Sequence, residues 1–208
     1  MSIGLSENSL YRRRLNLPQP LTKTQSKSSE LPLTLADAKN HLRIAHNDLD
    51  SEIVQVIAAA TDYCEHYAAV SLRVATQRTA TYATWPLYFI RFQTQRVISV
   101  DSVDYIDSNG DSQTVDSSNY TLVESTGGGA ILEFDTAFSQ PTLADRLDAV
   151  QITYTAGFPS VSEVPPAATH AIKLMLTALW GDDSPQVLKQ AQERSQALLA
   201  SVEWGWYR

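Results

Sequence analysis

The 208-residue sequence predicts an α+β protein, in which a helical bundle carries an inserted, mostly antiparallel β lobe. Near both ends of the chain, apolar residues recur every three to four positions, which is the spacing of one buried helix face. Between about residues 72 and 155 the period falls to two, and turn residues separate the segments. We therefore expect two helices, a β insertion and two further helices, with the flanking pairs packed together as one bundle.

Residues 1–32 are predicted to form an extended N-terminal arm, because they are polar, contain Pro18, Pro20 and Pro32, and show no sustained period. One interpretation is a flexible terminus without a binding role. The other is a docking segment, since apolar residues punctuate the arm at Leu5, Leu10, Tyr11, Leu15, Leu17 and Leu21. If the arm docks, its expected contact residues are Leu10, Tyr11, Arg12, Arg13 and Arg14.

Residues 33–71 are predicted to hold the first two helices of the core. Thr34-Leu-Ala-Asp37 resembles a capping box and begins a short helix that runs to about Ile44. Asn47 or Asp48 is expected to cap a longer helix, whose first turn is acidic. The spacing of its apolar residues predicts one buried face, made by Leu49, Ile53, Val56, Ile57, Ala60, Cys64 and Tyr67.

Residues 72–158 are predicted to be the inserted β domain. Asn109-Gly110 is a strong signal for a hairpin turn, and Gly127–Gly129 predicts a second hairpin. The expected strands are Thr76–Thr84, Tyr88–Phe92, Val97–Ile106, Gln113–Val115, Tyr120–Val123, Ala130–Phe134 and Val150–Thr155.

Residues 159–202 are predicted to complete the helical core. Pro165 and Pro166 suit the first turn of a helix over Ala167–Trp180, which Gly181 ends. Ser184-Pro185 then begins an amphipathic helix with an apolar face formed by Val187, Leu188, Ala191, Leu198, Leu199 and Val202.

Residues 203–208 are predicted to be an anchor peptide. Three large aromatic residues lie among the last five positions, where chains are usually polar and frayed. Aromatic side chains dominate the binding energy of many interfaces, so a pocket on a partner is one destination, and the protein's own bundle is the other. The residues expected to make these contacts are Trp204, Gly205, Trp206, Tyr207 and Arg208.

Composition restricts the class of protein. The apolar fraction of 43% and charged fraction of 19% are typical of a globular domain. No apolar run is long enough to span a bilayer, and no apolar segment follows Arg12–Arg14 to make a secretory signal. Cys64 is the only cysteine, which excludes an internal disulfide and suits a reducing cytosol. We expect no membrane association.

Charge is unevenly distributed along the chain. Five Lys/Arg residues against two Glu give residues 1–30 a charge of +3, so a net charge of −7 leaves −10 on the remainder. A body of this sign repels phosphate, which disfavours tight, sequence-blind binding of nucleic acid. It is compatible with a surface past which DNA slides, although most acidic proteins never meet DNA.

No motif indicates catalysis, a metal or a cofactor. His41 and His46 lack the H-E-x-x-H frame of a zinc site, and Gly127–Gly129 lack the Lys-Ser/Thr of a phosphate loop. The segment Asp107–Asp111 has its glycine at the wrong position for a calcium loop, so it is interpreted as a turn. The G-x-S-x-G elbow of hydrolases is also missing. We therefore predict no cofactor and no enzymatic activity.

Several segments, in order and spacing, resemble phage head–tail connector (adaptor) proteins. The opening is similar to the family pattern L-T-L-A-E-A-K-x-H-L-R followed by an acidic helix start. The segments that carry the resemblance over about residues 31–200 are Leu33-Thr-Leu-Ala-Asp-Ala-Lys-Asn-His-Leu-Arg43, Asp48-Leu-Asp-Ser-Glu-Ile53, Ala58-Ala-Ala-Thr-Asp-Tyr63, Val103-Asp-Tyr-Ile-Asp107, Tyr120, Ile152-Thr-Tyr-Thr-Ala-Gly-Phe158 and Val164-Pro165. The sequence departs from the family at Trp180-Gly-Asp-Asp183, where an aromatic-Glu-x-Arg stretch is usual.

The resemblance implies a structural subunit of a virion neck, made in the host bacterial cytoplasm. Such proteins form a ring beneath the portal protein, and twelve copies are expected in this case. They extend the DNA channel without sequence-specific DNA binding and seat a stopper or tail-completion protein. In the family the C-terminal segment typically inserts into the portal, which would be the role of Trp204–Arg208. Some relatives are labelled as possible DNA-packaging proteins.

Two other functions remain open from the sequence. One is a DNA-binding packaging factor that uses Arg12–Arg14 as a phosphate-contacting arm, and its binding would weaken with salt. The other is a small enzyme that uses the β lobe as a substrate platform, which requires a pocket with convergent polar groups.

Overall fold

The structure is a computed structural model that describes residues 21–86, 89–92, 96–124, 130–181 and 184–202. Within these ranges two helices precede a group of strands and two helices follow it, so the predicted α+β class is confirmed. The glycine turn at Gly127–Gly129 lies outside the described residues.

The first two helices are α1, Leu35–Leu42, and α2, Asp50–Ala68. The predicted capping box is confirmed: the Thr34 hydroxyl accepts a hydrogen bond from the Asp37 backbone N–H at 3.1 Å and donates to the Asp37 carboxylate at 2.6 Å. The helix ends two residues before the predicted Ile44, because Arg43 adopts a left-handed conformation with φ of 60°.

The predicted cap of α2 is wrong. Leu49 occupies the cap position without a side-chain hydrogen bond, and neither Asn47 nor Asp48 serves as the cap. The Asn47 side chain is instead engaged by Lys39, whose ammonium lies 2.6 Å from its amide oxygen and 2.6 Å from the Asp50 carboxylate. The acidic first turn, with Asp50 and Glu52, is confirmed.

The predicted buried stripe of α2 is confirmed in part. Ile53, Ile57, Ala60 and Cys64 are buried as expected. Leu49 and Val56 are half-buried against the core, and Tyr67 is 41% exposed. From Ile57 the buried positions continue through Thr61 and Cys64 to Ala68, at spacings of three and four. Tyr67 lies at the edge of this stripe and faces solvent.

The last two helices are α3, Pro166–Trp180, and α4, Pro185–Leu199. Both begin with proline and α3 ends at Gly181, as predicted. All four helices contribute to one apolar core, which confirms that the flanking pairs pack as one bundle. Its most deeply buried members are Ala38, Ile53, Ile57, Ala60, Cys64, Leu72, Ala168, Ala171, Ile172, Met175, Leu176 and Leu199.

The β lobe contains two sheets in which all named strand pairs are antiparallel. Their orders are β1-β2-β8-β4-β5 and β3-β7-β6. The strands are β1, Leu21–Ser26; β2, Thr76–Tyr82; β3, Phe89–Arg91; β4, Val97–Ile106; β5, Ser112–Thr114; β6, Tyr120–Glu124; β7, Ala130–Phe134; and β8, Val150–Ala156. Short 3-10 turns occupy Ser117–Asn119 and Val161–Glu163.

The two sheets enclose a second apolar core, separate from that of the helices. Strand β8 is central in the larger sheet, and its side chains alternate between buried and half-buried. Phe92 packs on Tyr154 with ring centroids 4.5 Å apart. Other members of this core are Tyr82, Ile90, Val103, Leu132, Phe134, Val150 and Ile152.

Strand β1 was not predicted. It lies within residues 1–32 and pairs with β2, with Leu21 opposite Thr81 and Lys23 opposite Thr79. All six of its side chains are exposed. The strand therefore has no alternation of apolar and polar residues from which it could have been predicted.

Candidate assembly surfaces

The contact residues predicted from the sequence lie outside the described part of the chain. This holds for the arm residues Leu10, Tyr11, Arg12, Arg13 and Arg14 and for the anchor residues Trp204, Gly205, Trp206, Tyr207 and Arg208. The structure does describe the two places from which these segments start, Leu21 in β1 and Val202 after α4.

The start of the C-terminal segment is fixed in the helical core. Val202 is buried, and its backbone N–H donates to the Leu199 carbonyl at 2.7 Å. Leu199 is fully buried in the same cluster. Residues 203–208 therefore begin from a point held by apolar packing, which is how a short peptide can be presented in a defined direction.

The start of the N-terminal segment is held by polar contacts. The Gln25 amide donates to the buried Thr79 hydroxyl at 2.8 Å. Just after the strand, the Lys27 ammonium lies 2.7 Å from the Asp62 carboxylate on α2. Strand β1 thus joins the sheet through its backbone ladder, a side-chain amide and an ion pair.

Arg73 connects the segment after β1 to helix α2. Its guanidinium, 9% exposed, lies 2.8 Å from Asp62 and 3.6 Å from Glu65. It also donates to the Ser28 carbonyl at 3.5 Å. Glu65 in turn accepts the backbone N–H groups of Leu72 and Arg73. We call Lys27, Asp62, Glu65 and Arg73 the Arg73 cluster.

Electrostatics favour the ionised form of Asp62 in this cluster. Partial burial tends to raise the pKa of Asp62, but hydrogen bonds from Lys27 and Arg73 and their positive charges outweigh it and lower the pKa. The sequence analysis missed this cluster, because its members are separated along the chain and no local pattern connects Arg73 to Asp62.

The junction between the helical core and the β lobe lies beside Arg73. Gly157 has φ of 113°, and a Cβ added there would lie 2.2 Å from the Arg73 carbonyl oxygen. Only glycine fits both the conformation and the space. Next to it, the Arg96 guanidinium lies 5.9 Å from the Phe158 ring centre and 3.2 Å from Glu163. The two parts of the fold are therefore closely fitted where the chain passes between them.

One face of the five-stranded sheet, opposite its apolar core, is polar and carries two aspartates. Asp101 accepts hydrogen bonds from Gln77, Ser99 and Thr155 at 3.0–3.4 Å. Asp104 accepts from the Ser102 and Thr114 hydroxyls, each at 2.6 Å. Among the described residues, no Lys, Arg or His nitrogen lies within ion-pair distance of either carboxylate. These donors orient the carboxylates without neutralising them.

The Asn-Gly hairpin turn is confirmed between β4 and β5. Asp107 accepts the backbone N–H groups of Asn109 at 2.9 Å and Asp111 at 3.1 Å, and Gly110 has φ of 91°. These hydrogen bonds, that of Asp111 first, lower the pKa of Asp107. In the described part of the chain, no group of three potential metal-ligating side chains is found here or elsewhere.

The remaining candidate chemical groups have ordinary structural environments. His41 shares a hydrogen bond with the Thr177 hydroxyl at 2.8 Å, which joins α1 to α3. His46 lies 3.6 Å from Asp48 near the start of α2. Burial raises the pKa of the Cys64 thiol to about 12, so it stays protonated and is a poor nucleophile. Across the described ranges, no helix is long and apolar enough to cross a membrane.

Part of the chain matches a known family model. Residues 32–121, from before α1 to the start of β6, match the model described as phage gp6-like head-tail connector protein. No curated protein shows a significant match to the chain.

Comparison with solved structures shows a shared fold. One similar chain comes from the "Neck of empty GTA particle computed with C6 symmetry", with a TM-score of 0.65. A second comes from the "Virion of native gene transfer agent (GTA) particle", at 0.62, and a third from the "Neck of native GTA particle computed with C12 symmetry", at 0.61. Each is 19% identical to this chain, and the alignments cover 84% of this chain and 94% of the other.

Proposed function

We propose that this chain is a phage head–tail connector protein that acts as a structural adaptor subunit of a virion neck. The match over residues 32–121 carries the proposal. The likeness of its fold, over 84% of the chain, to chains of gene transfer agent particles supports it. These comparisons point to a non-enzymatic structural protein. We infer that it is made in the bacterial cytoplasm and assembled into the particle there.

The subunit is proposed to act as one copy in a ring beneath the portal, with twelve copies as the expected number. Necks of the structurally similar particles were computed with C6 and C12 symmetry, and both agree with a ring of this size. A closed ring needs two different surfaces on each copy, one of which binds the next copy's other surface. The sequence offers two surfaces of opposite charge, since residues 1–30 carry +3 and residues 31–208 carry −10.

The ring is proposed to extend the DNA channel and to seat the next neck or tail protein, a stopper or tail-completion protein. The charge of −10 on residues 31–208 supports a channel wall that does not retain DNA. DNA is therefore a passing cargo in this proposal, and no sequence-specific recognition is required.

Portal attachment is assigned to Trp204, Gly205, Trp206, Tyr207 and Arg208. Their segment begins beside Val202, which is fixed in the helical core. Large aromatic residues on both sides of a glycine suit insertion into pockets on a partner. Even modest affinity per peptide is sufficient in a ring, because many copies engage the portal at once.

Co-sedimentation with purified portal rings tests this function. We expect the wild-type protein to pellet with the portal, and the double variant Trp204→Ala/Trp206→Ala to need a concentration at least about tenfold higher. Tyr67→Ala is the matched control, because Tyr67 is an exposed aromatic on α2 that the proposal does not use. If wild-type protein does not pellet with the portal, the connector role is wrong. If the wild type pellets and the double variant pellets equally well, the connector role stands and the anchor assignment is wrong.

A further inference from the structure

Among the described strands, the hairpin formed by β4, its turn and β5 makes one edge of the five-stranded sheet. β5 is the last strand in the order, and all three of its side chains are exposed. An edge strand presents unpaired backbone groups that another extended segment can use. We call residues 97–114, which make up this hairpin, the acidic edge.

This edge has an unusual charge. Residues 101–120 contain five aspartates and no Lys, Arg or His. The carboxylates of Asp101 and Asp104 receive only neutral donors among the described residues. Their field reaches neighbouring groups: burial first, and then Asp104, Asp116 and Asp101, raise the pKa of Tyr120. An extended partner at this edge should therefore be basic.

The sequence contains a basic segment before β1. Arg12, Arg13 and Arg14 are consecutive, and residues 1–20 include one acidic residue, Glu7. Proline fixes its own φ and disfavours a helical conformation in the residue before it, so Pro18 and Pro20 predict an extended segment. There is no glycine between residues 5 and 20 to make a tight reversal.

Ring closure, rather than reach, favours a neighbouring copy as the site for this segment. Leu21 lies opposite Thr81, and the registers place Thr81, Gln151 and Asp104 in one row across the sheet, so the acidic edge of the same subunit lies at the same end, three strands from β1. Six residues, if extended, span roughly 20 Å, which reaches this edge or that of an adjacent subunit. Only binding to the adjacent subunit joins the copies of a ring.

We propose that Arg12–Arg14 of one copy bind the acidic edge of the next copy in the ring. The inference rests on the proposed function, because it requires a ring, and it names the two surfaces that join its members. Each copy gives an arm and receives one, which is the head-to-tail relation that a closed ring needs. The strand edge supplies backbone hydrogen bonds, and the aspartates select a basic segment over other extended chains.

Charge variants test the inference in portal-bound complexes, where native mass spectrometry counts the copies bound as protein concentration rises. Arg12→Gln/Arg13→Gln/Arg14→Gln and Asp101→Asn/Asp104→Asn/Asp111→Asn should each raise the half-filling concentration about tenfold, since a few exposed ion pairs are lost. The matched control is Glu30→Gln/Glu133→Gln/Asp145→Asn, which removes three exposed acidic groups elsewhere. It should fill the ring at the same concentration as wild type. Added salt should reduce the difference in half-filling concentration between wild type and the two charge variants.

Cysteine cross-linking identifies which subunit receives the arm. In a Cys64→Ala background, Asn16→Cys and Gln113→Cys should oxidise to a ladder of covalent oligomers in the assembled complex. Monomers with an internal disulfide would show that the arm binds its own subunit, which overturns the inference. So would equal filling by the charge variants and wild type. Both outcomes differ from failure of the connector function, in which wild-type protein does not bind the portal at all.

Discussion

Strand β1 and helix α4, the first and last elements that the structure describes, are attached to the molecule in opposite ways. α4 is fixed by apolar burial through Ala191 and Leu199 and is followed by buried Val202. β1 has six exposed side chains, including Leu21 at 68% exposure, and is held by its backbone ladder and polar contacts. The last described helix is therefore part of the core, whereas the first described strand lies on the surface.

This difference matters for an assembly subunit. An end anchored by apolar burial can present a peptide in a fixed direction, which suits the proposed portal contact. An end held by polar contacts can adjust or exchange its partners at low cost, because water and ions compete for the same groups. We therefore expect the last helix to exchange its amide hydrogens more slowly than β1.

The largest expected effect comes from removing apolar burial beside the C-terminal end. Leu199→Ala should lower the free energy of unfolding by about 2–5 kcal/mol, because it leaves a cavity in the helical core. Val187→Ala, in the same helix but 50% exposed, is the control and should change stability by less than about 0.5 kcal/mol. Urea unfolding measures both. Similar losses in the two variants would contradict the proposed core role of α4's last turn.

The next effect comes from the Arg73 cluster. Arg73→Met keeps the aliphatic part of the side chain but removes charged hydrogen bonds to Asp62 and the Ser28 carbonyl. We expect a loss of about 1–3 kcal/mol in the free energy of unfolding. Hydrogen exchange should also show faster exchange in β1. An unchanged β1 would mean that the cluster does not hold the arm.

A smaller effect is expected for Lys27→Met. Its ion pair with Asp62 is half exposed, so global stability should fall by no more than about 1 kcal/mol. Hydrogen exchange in β1 should nevertheless accelerate, while α4 amides keep their protection. Lys189→Met removes an exposed i,i+4 pair on α4 and serves as the control. Equal responses of β1 in the two variants would show that the Lys27 pair has no particular role.

The smallest effect is a pH dependence confined to the arm. The pKa of Asp62 is lowered in the folded protein, so its contribution is present above the ordinary carboxylate value and is lost as pH falls through the folded one. Protection of β1 amides should therefore decrease as pH is lowered below about 4. Asp62→Asn should remove that pH dependence. If β1 keeps its full protection in acid, the Asp62 contact does not stabilise the arm.

Much of the fold could be predicted, because the buried residues of its main elements recur with the period of a helix or a strand. β4 and β7 occupy the predicted residues, and β8 extends the prediction by one, since β-branched and aromatic residues line a buried face there. The Thr34 cap could be predicted because a capping box involves only four consecutive residues. Tyr67 was misassigned because an aromatic at the margin of a helical stripe has the same spacing as a buried one.

Features created by distant residues could not be predicted. The Asn47 side chain binds Lys39 of α1, and β1 pairs with the backbone edge of β2. The Arg73 cluster joins α2 to residues that precede and follow this helix in the chain. The periodicity of the sequence therefore does not reveal the cluster. The polar face of the sheet emerged only from strand order, which brings Asp101 and Thr155 together from 54 positions apart.

The most direct test of the central claim is a single-particle reconstruction of the protein mixed with its portal. We predict a ring of this subunit seated beneath the portal, with residues 203–208 in portal pockets and residues 12–14 at the acidic edge of the adjacent copy. Portal rings that remain bare at saturating protein concentration would contradict the connector function. A ring in which both chain ends fold back on their own subunit would contradict the proposed division between the two ends.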